Sequence, residues 1–435
     1  MSISHAQTLA AAMQQALDTH PEIQSGIHAR LSVDAQLQAA QGGYLPQVDL
    51  LAGQGHQGTE NASSRGSPGN GFLVMSRTES SLQARQMLFD GFATRSEVDR
   101  QRATVNARAY ALLGNSERIG LNVVQVYLDV LKRQAFLRLA EENLGNHQRI
   151  FDQISRRSEQ GVGRLVDLNQ AQARLALARN NLTTEQTNLA DARVSYLSAV
   201  GQEPGELTPP PSIAGQLPPS LAAARDALLA NSPHLNSAEA DVMAAQAQYR
   251  AANASFYPRV DAEMSLGSNN NVDGVQGRRS DWQLMLRMRY NLFAGGKNSA
   301  ELRSKSQQVN QAKDVRDNAL RALNEDLGLS WNALKNAREQ LPVALQYTEQ
   351  SLSVRNAYRK QFTLGDRTLL DLLDSENELF TASRRLEEMR FVELFTQYRI
   401  QSTVGSLLKS QGVVPPPAAV ALDIVKTDVR LPPIR

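Results

Sequence analysis

The chain has 435 residues and no cysteine. A disulfide framework, a thiol nucleophile, a thiolate metal site and a lipid-bearing cysteine are therefore excluded within it. Aromatic residues make up only 5%, too few for several thick globular cores, although length alone suggests about three ordinary domains. No apolar run approaches the roughly 18 residues a membrane helix needs. Charge of one sign is missing too. The 46 Lys and Arg nearly balance 44 Asp and Glu, for a formal net charge of +2, so nothing points to nucleic acid or an acidic polymer as partner. The opening residues Met1-Ser2-Ile3-Ser4-His5 have no basic segment and no apolar h-region. An exported form would have its signal peptide outside the chain given. What is abundant is Ala, Gln, Leu, Asn and Arg, a mix suited to long, thin helices packed through small residues.

The chain repeats itself. A helical stretch opens at Pro21-Glu22-Ile23 and ends in Tyr44-Leu45-Pro46-Gln47-Val48-Asp49; another opens at Pro233-His234-Leu235 and ends in Phe256-Tyr257-Pro258-Arg259-Val260-Asp261, all at an offset of 212. Further on, Leu88-Phe89-Asp90-Gly91 answers Leu292-Phe293-Ala294-Gly295 at an offset of 204. The same 204 relates Gly161-Val162-Gly163-Arg164-Leu165-Val166-Asp167-Leu168 to Gly365-Asp366-Arg367-Thr368-Leu369-Leu370-Asp371-Leu372. Two helical segments can match by chance, but four landmarks in one order argue for duplication.

Each copy reads helix, strand, loop, strand, very long helix, tight turn, returning helix. The first, residues 1–211, has strands about 44–56 and 80–91, a long helix about 92–160 and a return helix 164–200. The second, 212–411, has strands about 258–267 and 281–293, a long helix about 297–364 and a return helix 366–410. Pro204, Pro209-Pro210-Pro211 and Pro218-Pro219 separate the copies, and Pro415-Pro416-Pro417 leads into an extended tail, 412–435.

In the last strand Trp282, Leu284, Leu286, Met288, Tyr290 and Leu292 share one face, while Gln283, Arg287, Arg289 and Asn291 share the other with Met285. The strand before it sets Val260, Ala262, Met264 and Leu266 against Asp261, Glu263 and Ser265. Leu82, Ala84 and Leu88 alternate with Ser81, Gln83 and Arg85, but Val48 to His56 is only loosely patterned. Alternation over about 10 residues fits a barrel strand between lipid and water; a half-buried strand in a soluble sheet alternates identically. The intervening Gly58–Gly71 and Gly267–Gly277, rich in Gly, Asn and Ser, read as exposed loops. Four strands cannot close a barrel and open edges cannot lie in lipid, so several subunits would have to share one.

The run 92–160 has no proline and would be on the order of 100 Å long as a helix. In 297–364 only Pro342 interrupts, and a kink is expected there. The first return arm carries Leu168, Leu175, Leu182, Leu189 and Tyr196 every seven residues, interleaved with Ala171, Ala178, Ala192 and Ala199, a slim coiled-coil seam. The second has Leu372, Leu379 and Leu386 with Ala382 and Met389. A soluble coiled coil would look the same, but would not start each long helix directly after a strand pair.

Other signals lead nowhere. Gly53-x-Gly55-x-x-Gly58 has no following helix or acidic ribose partner, so a Gly-rich strand end is the better reading. The six histidines (5, 20, 28, 56, 147 and 234) form no ligand spacing. No catalytic motif can be proposed, and neither enzyme activity nor a cofactor or metal is expected.

With these marks in place, the chain over roughly residues 6 to 410 resembles the TolC-like family of outer-membrane efflux and secretion channels. The resemblance rests on the repeat, the Tyr44-Leu45-Pro46 and Phe256-Tyr257-Pro258 strand starts, the Leu-Phe-x-Gly strand ends and both Gly-x5-Asp-Leu turns. It implies an α+β membrane protein: a homotrimer with a 12-stranded outer-membrane β-barrel continued by a long periplasmic α-helical coiled-coil barrel. A periplasmic adaptor protein and an inner-membrane ABC transporter, or a proton-driven pump, would be its partners. In such channels Asp371 and Asp374 would form the constriction, and six carboxylates around a bore would favour cations. Without the family, a solvated helix-start pair favoured by the helix dipole is the better reading of that pair. Arg367 and Asp167 match positions that latch the tip shut, with Phe362 where a tyrosine would offer a hydroxyl and Val166 where a threonine would. Gly161, Gly163, Arg164, Gly365 and Asp366 look like the adaptor-docking tips.

The resulting expectation is an exit duct for type I protein secretion, suggested by the Asp371-Leu372-Leu373-Asp374 tip and the missing lipidation cysteine. Multidrug efflux is the alternative within the class. A pore-less periplasmic coiled-coil scaffold or adaptor is the alternative outside it, against which stand two hairpins and strands of membrane length.

Overall fold

A computed structural model of the chain describes residues 7–61, 65, 72–427 and 429. The first six residues, most of 62–71 and the end of the tail lie outside the described residues. The elements run α1 (Leu9–Thr19), α2 (Pro21–Gln41), β1 (Gln47–Thr59), β2 (Leu73–Phe89), α3 (Ala93–Glu159) and α4 (Leu165–Val200). Then come α5 (Leu221–Asn231), α6 (Pro233–Asn253), β3 (Arg259–Asn270), β4 (Arg278–Arg289), α7 (Lys297–Leu364), α8 (Leu369–Thr403) and α9 (Leu407–Ser410). α1, α2 and β1 recur as α5, α6 and β3 at the 212 offset, and α3 and α4 as α7 and α8 at 204. The short helices α1 and α5 are not announced by the sequence. Thr8 and Ser220, also 212 apart, cap them by accepting the N–H of Ala11 and Ala223.

Several bounds need correction. β2 begins at Leu73, ahead of the expected 80, because it pairs with β1 along its whole length out to Thr59. α7 keeps the expected 297–364 and continues through Pro342 as one helix; residues 338–340 are exposed, so water can take the carbonyl that proline leaves unbonded. The second return helix does not reach 410. It stops at Thr403 because Gly405 turns left-handed, with φ of +76° and the Pro233 ring and Asn231 carbonyl too close for any Cβ. The described part of the tail is packed: Val413, Ala419 and Val425 are buried, and Val414 exchanges hydrogen bonds with the Gln14 side chain.

The chain divides into two compact units: Met1–Ala29 with Arg108–Ser237 and Asp317–Arg435, and Arg30–Ala107 with Ala238–Arg316. The first is helical. Its largest core joins α1, α3, α4, the end of α8 and the tail around Met13, Leu17, Tyr127, Tyr196 and Tyr398. The Tyr127 hydroxyl lies 2.6 and 2.7 Å from the carbonyls of Gln7 and Thr208, fastening two connecting segments to α3. The expected α4 seam is there, with Ala171, Leu175, Ala178, Leu189, Ala192, Tyr196 and Ala199 buried. Glu185 fills the one heptad position among these alanines that is not Ala. It is buried, and Arg384 neutralises it at 2.8 Å while lying over Phe136.

The second unit holds one antiparallel sheet in the order β1-β2-β3-β4. Partners in register share a face, and the registers place Leu50, Leu82, Leu266 and Trp282 in one row and Val48, Ala84, Met264 and Leu284 in the next. The opposite face holds the rows Asp49, Gln83, Ser265, Gln283 and Gln47, Arg85, Glu263, Met285. The loosely patterned first strand obeys the alternation only from Gln47 to Leu50: Leu51 sits on the polar side, and Gln54 and His56 sit on the apolar one. The apolar face is bare: Trp282 is 73% exposed, Leu284 and Leu286 69%, Met288 66%. Among the described residues no helix is long and apolar enough to cross a membrane.

Candidate functional site

The two turns joining the long helices to their return arms are built alike. After α3, Val162 N–H donates to the Arg157 carbonyl at 3.1 Å and Gly161 N–H to Ser158 at 3.0 Å. After α7, Asp366 donates to Gln361 at 2.9 Å and Gly365 to Phe362 at 3.2 Å. This pair of bonds closes a helix on a left-handed residue, and Gly161 and Gly365, with φ of +75° and +88°, supply it. Gly163 serves differently: a Cβ there would stand 2.8 Å from the Ser158 backbone nitrogen.

The return arms start differently. Thr368 caps α8 with a reciprocal box, its hydroxyl accepting the Asp371 N–H at 3.2 Å while Asp371 Oδ2 accepts the Thr368 N–H at 3.3 Å and O–H at 2.8 Å. Those hydrogen bonds, with Arg367 beyond them at 3.9 Å, hold the Asp371 carboxyl below its usual value. At the matching start of α4, Arg164 makes no side-chain cap, and its Nε lies 3.6 Å from Asp167. Asp374, one turn beyond Asp371, pairs with Arg174 of α4 at 3.0 Å.

Arg367 donates from Nε to the Gln361 side chain at 3.0 Å and stacks 4.3 Å from the Tyr358 ring. Within the chain it meets Asp371 and not Asp167. Phe362 is buried with Ile150, Ile154, Ala171, Leu369, Leu372 and Leu373, forming a small core under both turns. Sequence reasoning missed the charged cluster above that core. There Glu376, almost wholly buried, takes Arg359 at 3.0 Å, Arg355 at 3.4 Å and the Asn146 amide at 3.0 Å. An arginine pair four residues apart on α7, facing a glutamate on the next arm, was the available signal. His147 lies beside it, buried, with Nδ1 unpartnered; burial lowers its pKa, so it is neutral at pH 7.

These turns, and a bare apolar sheet feeding each long helix, form a combination that can be compared with known proteins. The family model described as "Outer membrane efflux protein" matches residues 12–202 and 224–392. The chain belongs to the outer membrane efflux protein family. It is therefore a TolC-like outer-membrane protein that extends into the periplasm. It is 23% identical to the outer membrane efflux protein BepC of Brucella suis, over 93% of this chain and 87% of that one. The alkaline protease secretion protein AprF of Pseudomonas aeruginosa is 25% identical over 75% of this chain and 69% of its own. A crystal structure of CusC superposes with a TM-score of 0.80 at 18% identity, covering 92% of each chain; the fold is shared.

Proposed function

We propose that three copies of this chain form a passive exit duct across the outer membrane, the last stage of a tripartite export system. The observation that carries this reading is the sheet: four strands with one bare apolar face, one polar face and two edges unpaired among the described residues. Such edges can lie in lipid only if further strands close the ring, and three copies supply about twelve. A periplasmic adaptor and an inner-membrane transporter would then meet the turns at Gly161, Gly163, Arg164, Gly365 and Asp366. No step of this role requires catalysis.

Asp371 and Asp374 are proposed as the constriction, with Arg367, Asp167 and Phe362 around its latch. Their charge is not bare, since Arg174 and Arg367 stand beside the two aspartates. We take protein secretion through an ABC transporter as the cargo class, supported by the likeness to AprF over three quarters of the chain. Multidrug efflux with a proton-driven pump is the other outcome of the test.

The test is heat-modifiable trimer migration in detergent followed by single-channel recording. A chain that is monomeric and soluble without detergent would refute the duct. Deleting the gene in its own cell then separates cargo: loss of a secreted protein supports secretion, and drug sensitivity alone supports efflux.

A further inference from the structure

The two open edges of the sheet carry opposite charge on the same face. β1 has one carboxylate, Asp49, on its polar side, exposed and with no ion pair among the described residues. β4 ends in Arg287 and Arg289 on that side. Both reach back to Glu263, at 2.7 and 3.0 Å, and Arg85 joins them at 3.3 Å. One carboxylate thus serves three guanidiniums, leaving the β4 edge with cationic groups that one more carboxylate could satisfy.

Register decides which residues would meet if the edges closed on one another. Gln47, the start of β1, is level with Met285, so β4 runs on past it to Arg289 at the helix-side end. At the other end Arg278, the start of β4, is level with Gln54, and β1 runs on past it to Thr59. The strands therefore step toward the helix side from β1 to β4, the stagger that tilted barrel strands require. At a tilt of about 40°, with about 4.8 Å between strands and about 3.3 Å per residue, four strands accumulate about five residues. Only an even step keeps the apolar side chains outward, so the step is about four or six. Asp49 is level with Gln283 of its own chain. Stepping from Gln283 toward the helices by about four reaches Arg287, and by about six Arg289. Both permitted registers end on an arginine.

We infer that Asp49 of one copy pairs with the Arg287/Arg289 edge of the next, and that this ion pair sets the register in which three sheets close. The inference rests on the trimeric-barrel reading, and its test separates the two. The chain has no cysteine, so Asp49→Cys can be combined with Arg287→Cys or with Arg289→Cys in the full-length protein and oxidised in outer membranes. Disulfide-linked dimers and trimers are expected on non-reducing gels for one of these pairs and for neither single variant. Trimers that cross-link only through Asp49→Cys with Gln283→Cys, or with Arg279→Cys, would overturn the seam and leave the duct standing. A wild-type chain that forms no trimer would overturn both. Asp49→Arg is expected to lose the heat-resistant trimer band, and Arg287→Asp with Arg289→Asp to bring it back. An Asp49→Arg trimer as heat-resistant as wild type would show that the ion pair does not seat the seam.

Discussion

Glu117 on α3 allows a quantitative test of how the helical unit is held together. Its carboxylate is buried and accepts the backbone N–H groups of Leu407, at 3.1 Å, and Leu408, at 3.3 Å, where the chain turns back after Gly405. Burial pushes its pKa from 4.5 up to about 7, against the two N–H bonds, which favour the charged form. The shift is worth about 3 kcal/mol at about 1.4 kcal/mol per unit. Its sign follows from proton binding. Between pH 4.5 and 7 the folded chain holds a proton that the unfolded chain has released. This contribution is therefore fully present below pH 4.5 and is lost as pH rises through 7. Glu117→Gln keeps an oxygen acceptor but cannot ionise, so its stability should lack this decline, and its difference from wild type should change by about 3 kcal/mol over that window. Urea unfolding of both proteins in detergent, at steps from pH 4.5 to 8, measures the difference. Parallel curves for the two proteins would refute the reasoning.

At the turns, Asp374→Asn should reduce the cation preference of the channel, and Arg174→Gln should raise it by unmasking Asp374; reversal potentials in a salt gradient report both. Because the Thr368 hydrogen bonds hold the Asp371 pKa down, its charge is present above the usual aspartate value and lost only as pH falls beneath it, so some cation preference should survive at pH 4. Arg367→Ala should alter channel opening; an unchanged single-channel record would remove Arg367 from the latch. Phe362→Ala should cost about 3–5 kcal/mol, felt locally as faster amide exchange at the ends of α7 and α8. Glu185→Ala should cost about 1–2 kcal/mol in thermal unfolding, since Arg384 is partly exposed and can turn to solvent.

Period and punctuation make the long elements legible in the sequence. Ala93–Glu159 has no proline, β4 alternates across Trp282 to Met288 with Met285 as its one exception, and the Gly161 and Gly365 turns repeat at one spacing. What the sequence hides depends on contacts between distant segments. Thr8 and Ser220 cap helices too short for periodicity to announce. Gly405 looks like any helix-end glycine until Pro233 and the Asn231 carbonyl are seen closing the space around it. Asp371 shows how far motif reading can go. The spacing from Asp371 to Asp374 says that the two carboxylates share a helix face. It does not say that one is spent on Thr368 and the other on Arg174. The proposed constriction, built from such paired groups, would not be a fixed ring of six charges. Its field would depend on whether Arg174 stays with Asp374, and a movement of α4 against α8 that parted them would raise the negative charge in the bore without moving either aspartate. Gating and selectivity would then be one event. Arg174→Gln should therefore raise the cation selectivity of the closed-like conductance level and leave that of the open level near wild type, and an equal rise in both levels would separate the two events.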